Sequence, residues 1–560
     1  MPSITDSIVI DATTEPDFAG TPIVVVDGSL AGAGVSGITL GAGSTGSTVR
    51  GLVINQFSVH GIVLSGAGSH TIAGNYIGTD ASGVAGLGNA SAGIQVTSAN
   101  NLIGGYTLAD RNVIGANNSG VKLTGVAATG NIVAGNHIGV GADGSSAVGN
   151  ANQGVLVSSS ASATIGGTSA GAGNVISGSL VGVQVSSGAT ATIQQNRIGP
   201  NSAGPASLAN VTGIAQAADG GGVLVGGGVA LSGNLISGNT SDGVMLSGAS
   251  SVVAGNSIGT NAAGSAALAN GGNGVSIFSS GHTVGGAPPI ERNLISGNAG
   301  FGLLLSSASA NTNAVYGNLI GTDSSGSGAI GNGGGGVSIT SGANGNEIGS
   351  ETPDAGNTIA YNVGDGVSLT ATAGSNNSII ANQIHSNSDL AIDLGDDGVT
   401  SNDLGDPDAG PNQLQNYPVI ASVNSIGGDT TITGSLNSAT STPYRLHFYS
   451  TPAASADGSG HGEATTYLGY TDVSTGSDGN VNFAARLTGI SIAAGDFVTA
   501  TASQVLGPSN YGSTSSLPPT LRQPTRQQAS RSRRPVAWWS ARPARRRSSR
   551  SCSTRHPLPM

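Results

Sequence analysis

An asparagine followed two residues later by isoleucine recurs at Asn75, Asn112, Asn136, Asn174, Asn196, Asn234, Asn256, Asn293, Asn318, Asn357 and Asn382. Its intervals alternate between 22–25 and 37–39 residues, a double unit of about 60. A chain that repeats itself at such a period folds unit against unit, so this register decides the architecture before any other property. Within each unit a glycine precedes an apolar-x-apolar triplet, as in Gly93-Ile94-Gln95-Val96 and Gly243-Val244-Met245-Leu246. A third apolar position, at Ile72, Val133, Val253 and Val315, stands two residues before the glycine of a Gly-Asn pair.

Three short alternating segments per 22–25 residues, separated by Gly, Asn and Ser, are strand signals. Helices are excluded on energy, because each glycine costs about 0.8–1 kcal/mol in a helix and the chain holds 95 of them. The pattern predicts a solenoid of three strands per turn. About fourteen coils stacked at ~4.8 Å would make a rod ~65 Å long. Isoleucines then fill the interior and asparagines stack at one corner, their amides bonding from coil to coil. The long coils carry an insertion, Tyr76 to Asn89 in one copy and from Ile320 in another, which predicts five loops projecting as a ridge.

After Pro418 the repeat stops. Segments 430–436, 444–449, 465–473, 481–487 and 497–502 read as antiparallel strands. The expected organisation is a β-helix over residues 1–418, a β-sandwich over 419–515 that covers the last coil, and a disordered Arg/Ser/Pro-rich tail over 516–560.

Charge narrows the partners. Of 18 basic residues, 11 are arginines between Arg522 and Arg555; the rest of the chain sets 7 against 29 acidic residues, a net of −22. Such a body repels nucleic acid and anionic membranes. The lone cysteine, Cys552, leaves the body without a disulfide or a thiolate metal site. No apolar run is long enough to span a membrane. The start lacks the basic and apolar regions of a secretory signal, which implies either a cytosolic protein or a start other than the natural one.

The Asn-x-Ile-Gly-Thr and Asn-x-Ile-Ser-Gly-Asn repeats, the opening Val9-Ile10-Asp11-Ala12-Thr13-Thr14-Glu15-Pro16 and the segment Ile392-Asp393-Leu394-Gly395-Asp396-Asp397-Gly398 carry a resemblance. Over residues 4–515 the chain resembles the secreted bacterial right-handed parallel β-helix repeat proteins of the pectin-lyase-like superfamily. The resemblance implies an all-β, right-handed parallel β-helix and a secreted or cell-surface location. It implies no single activity, since the superfamily mixes enzymes with proteins of other roles.

Polysaccharide-cleaving chemistry needs aspartates beside basic groups that hold acidic sugars. The solenoid's basic residues, Arg50, Arg111, Lys122, Arg197 and Arg292, fall on different coils and nominate no catalytic residue. His60, His70, His137, His282 and His385 share no metal spacing and are expected as solvated turn residues. The densest constellation is acidic. Calcium is expected at some of Asp393, Asp396, Asp397, Asp403, Asp406 and Asp408, because closely spaced carboxylates without a competing cation suit a hard ion with six to eight oxygen ligands. The sequence therefore points to a monomeric structural or binding scaffold, adhesin-like or polysaccharide-binding. The alternative is a polysaccharide-active lyase, hydrolase or epimerase.

Overall fold

The computed structural model describes residues 2–455 and 459–524. Strands of two to six residues alternate with glycine-rich corners and gather into three parallel sheets of thirteen strands each. The first sheet runs from Val9–Asp11 to Ser378–Ile379, the second from Val24–Asp27 to Gln383–His385 and the third from Ile38–Leu40 to Ile392–Gly395. Each strand pairs only with its counterparts one coil away, giving a right-handed β-helix of thirteen coils, one fewer than expected.

The register repeats without slips: Ile54 stacks on Ile77, Ile77 on Ile114 and so on through Ile359 and Ile384. All members of this column are at most 2% exposed. They meet the inward residues of the other sheets, such as Ile103, Val133, Leu123 and Val155, in one continuous core. Stacking like on like lets every coil reuse one rotamer solution, so a short repeat suffices to specify a long rod.

Corners obey backbone sterics. Gly78 follows the isoleucine with φ +84°, and a Cβ there would come within 2.1 Å of the Gly115 carbonyl oxygen one coil away. Only glycine fits such a corner.

The eleven signature asparagines form an unbroken ladder. Each Nδ2 donates to the Oδ1 of the next coil at 2.9–3.1 Å, from Asn75 to Asn382. Two more ladders accompany it. One links Asn89, Asn117 and Asn150, then resumes through Asn210, Asn239, Asn270, Asn298, Asn332, Asn362 and Asn387. Ser179 occupies the gap, its Nα donating to Asn210 Oδ1 while its buried Oγ has no partner. The third joins Asn101 to Asn131 and later Asn313 to Asn346 and Asn377.

Residues 419–523 form a three-stranded and a five-stranded antiparallel sheet with their own core, in which Phe448 of one sheet meets Phe483 of the other at 5.9 Å between rings. The expected segments are present, with further strands at Val419–Ile426, Asn510–Thr514 and Leu521–Arg522. The last pairs with Phe497 and Val498, and Leu517 is 4% exposed. Residues 516–523, placed in the tail by composition, thus belong to the folded body, Leu517 in the solenoid's core and Leu521 against the second core, and the compact unit ends at Gln523. From residue 525 the expected tail lies outside the described residues.

This region covers the last coil. Ile384 and Ala464 exchange backbone bonds of 2.9 and 2.8 Å. The backbone N–H of Ile379 donates to Thr514 Oγ1 and that of Ala381 to Tyr449 Oη. Asn412, in the connecting segment, extends the third ladder by accepting from the Asn377 N–H and donating to the Asn377 and Thr514 carbonyls. Arg445 ties the two parts ionically, donating to Glu351 of the solenoid at 2.7 Å and to Asp472 at 2.6 Å. An exposed strand edge is thereby converted into a paired one.

Candidate functional site

Two places gather polar side chains that the ladders and cores do not consume. The first is a cavity of about 880 Å³ where the last coil meets Ala454, Ser455, Ser459 and Glu463. Asp365, Asp389, Asp393, Asp396, Asp397 and Glu463 line it. Asp393 is the outward residue of the final strand of the third sheet, stacked on Ser368, and is 4% exposed. Its carboxylate turns the chain: Oδ1 accepts from the Asp396 N–H at 3.1 Å and Oδ2 from the Gly398 N–H at 2.9 Å. Asp365 stands one coil earlier and accepts from the Leu390 N–H at 2.9 Å. Burial, reinforced by the nearby Asp393, pushes its pKa up to about 7. Burial also raises Asp393, against the backbone N–H groups it accepts from.

The six aspartates expected at one calcium fall into two groups. Asp393, Asp396 and Asp397 face this cavity, whereas Asp403, Asp406 and Asp408 lie together further along the connecting segment. There Asp406 accepts from the Asn416 N–H and from Ser438 Oγ of the second region, and burial raises its pKa. Asp403 meets Asn416 through its backbone, its N–H donating to Oδ1 at 3.0 Å. Among the described residues no three acidic, histidine or cysteine side chains stand close enough together to hold a metal ion.

The second place is a flank of the solenoid. The five insertions are hairpins, pinned by bridges such as Thr79 with Gly86 and Thr322 with Ala329. Neighbouring hairpins touch: the Ala142 N–H donates to the Gly83 carbonyl and the Ser202 N–H to that of Gly144. Asp80, Asp143 and Asp323 each fold their own hairpin by accepting from its hydroxyls and N–H groups, which hold these carboxyls below the usual range. Beside the ridge, over the outward face of the second sheet, run two cavities of about 350 and 460 Å³. Arg111 lines both. Arg50, Tyr76 and Phe18 join it in the first, Arg197, Leu235 and Asn234 in the second. The arginines that looked scattered over coils therefore share a corner. The adjacency was legible as Arg111-Asn112, Asn196-Arg197 and Arg292-Asn293, each arginine beside a ladder asparagine.

The histidines correct the expectation of solvated turns. His70, His137 and His282 are each 1% exposed. His70 and His282 stand in the third ladder, each N–H donating to the asparagine of the next coil, while their Nδ1 atoms accept from the Ser47 and Ser251 N–H groups. The imidazole thus replaces a carboxamide as a rung. Burial pushes the pKa values of His137 and His282 down to about 4.

A family model described as periplasmic copper-binding protein (NosD) matches residues 213–326. That stretch holds one histidine, one methionine and no cysteine, and His282 spends both ring nitrogens, on the Ser251 N–H and on Ser279 Oγ at 2.7 Å. These residues do not fit copper, whose sites use imidazole and sulfur ligands. Among solved structures, the full-length tailspike protein 2 (TSP2, ORF211) from Escherichia coli O157:H7 bacteriophage CAB120 aligns at 10% identity with a TM-score of 0.22. The alignment covers 89% of this chain and 64% of the tailspike, so the chain spans less than two thirds of that protein. No curated protein matches. No helix among the described residues is long and apolar enough to cross a membrane.

Proposed function

We propose that the chain is a rigid β-helix scaffold, secreted or displayed at the cell surface, that binds an extended glycan along its flank. The observation that carries this reading is the pair of cavities sharing Arg111, which together reach from Phe18 to Ala262 beside the hairpin ridge. Tyr76 and Phe18 offer apolar platforms for sugar rings, and Arg111 and Gln195 offer polar side chains for hydroxyls. Because the ladders fix the backbone beneath, binding requires little ordering of the protein. The family model that matches residues 213–326 describes periplasmic proteins, which supports a place outside the cytoplasm. Affinity electrophoresis against neutral and acidic polysaccharides tests the reading, with retardation expected for the parent and reduced for Tyr76→Ala. Equal mobility in every gel would sink it.

A second reading, a glycan hydrolase, is favoured by the carboxyl pair in the junction cavity. Asp365, protonated up to about pH 7, has the standing of a general acid, with Asp393 and its neighbours as carboxylates beside it. New reducing ends from a polysaccharide near pH 6, abolished by Asp365→Asn, would promote it over the scaffold reading.

A further inference from the structure

Four of the five basic residues of the solenoid lie at the corner between the first and second sheets. Arg111 and Arg292 immediately precede rungs of the first asparagine ladder, Arg197 immediately follows one, and Arg50 stacks on Ala73, two residues before Asn75. Their separations are two, three and three coils. At ~4.8 Å per coil these are about 10, 14 and 14 Å along the axis.

The guanidinium groups are held at the corner. Arg111 Nε donates to the Gly135 carbonyl at 3.3 Å and Arg292 Nε to that of Gly317 at 2.8 Å, in each case one coil onward. No acidic residue lines either cavity, although Asp110 stands 3.7 Å from Arg50. Apart from Asp110, the surface from Arg50 to Arg197 is uncharged, with Tyr76, Val113 and Leu235 outward on the second sheet, whereas Glu291 packs beside Gly228 and Gly286 between Arg197 and Arg292. The rest of the body is strongly acidic. A polymer charged on every unit would set most of its charges against that field, while a neutral one would leave the half-buried guanidinium groups of Arg111 and Arg292 without an anionic ligand.

We infer that this corner binds an acidic heteropolysaccharide carrying one carboxylate or sulfate for every two or three sugars, the anions on the arginines and the neutral sugars between them. The inference rests on the glycan-binding reading and names the ligand class of the same flank.

Titration of the full chain with hyaluronan oligosaccharides, polygalacturonate and dextran, followed by calorimetry, tests it. Hyaluronan bears its carboxylate on alternate sugars, and desulfated and sulfated chondroitin repeat the same spacing and separate carboxylate from sulfate preference. The expected result is binding of the alternating polymers, weakened by salt and reduced about tenfold by Arg111→Gln. Arg197→Gln, at an exposed side chain, is expected to keep the parent melting temperature and still weaken binding. Equal or tighter binding of polygalacturonate or dextran, unchanged affinity in both variants, or no binding of any alternating polymer overturns the inference. Binding of dextran alone would do so while leaving the glycan scaffold standing; binding of none of the polymers would remove both.

Discussion

At the scale of single residues, the solenoid is specified by side chains that touch their own kind. Ile236 is fully buried between Ile198 and Ile258, so Ile236→Asp places an unpaired carboxylate in a dry column. A loss of more than about 4 kcal/mol is expected, read as a fall in the denaturant midpoint. Ser179 is the opposite case. It interrupts the second ladder with an unpartnered buried hydroxyl, and Ser179→Asn should supply the missing amide and raise stability by about 1 kcal/mol, visible in a thermal scan. The first ladder was legible because its asparagine is always followed by isoleucine at the second position. The other two were not: Asn89, Asn117 and Asn150 sit in corners of varying sequence, and His70 and His282 stand in for asparagine in the third.

At the scale of elements, strand type and coil order were readable from the apolar alternation, whereas the grouping of charges was not. The six aspartates look like one cluster in sequence, but the chain leaves the last strand at Gly395, turned by Asp393 itself, and carries the later three away. The residue that most loads the cavity, Asp365, lies a coil earlier and belongs to no acidic run. Its pKa is higher folded than unfolded, so the folded chain holds an extra proton between about pH 4 and 7. Stability from this group is present at low pH and falls as pH rises through that window. In chelator, Asp365→Asn should flatten the decline and melt above the parent at about pH 8; if added calcium raises the parent's melting temperature there but not the variant's, a cation shares the site. The second region gives a sharper boundary than composition did. A chain ending at Pro524 should melt above one ending at Ser515, which loses buried Leu517 and the pairing of Leu521–Arg522 with Phe497 and Val498.

For the whole molecule, the alternation of long and short coils means that the smallest stretch which can be lifted out without disturbing a neighbour is two coils. Deletion of residues 137–196 would join Asn136 directly to Arg197-Ile198, restoring the asparagine-to-isoleucine step and leaving a long coil after a short one. The product should fold with the parent's circular dichroism and a scattering profile about 10 Å shorter. It would also bring Arg197 from three coils to one coil beyond Arg111. Rod length and charge spacing are thus coupled to copy number: duplication or loss of one sixty-residue stretch of coding sequence changes the molecule's reach and the pitch of what it can recognise in a single genetic event, with no intermediate that fails to close.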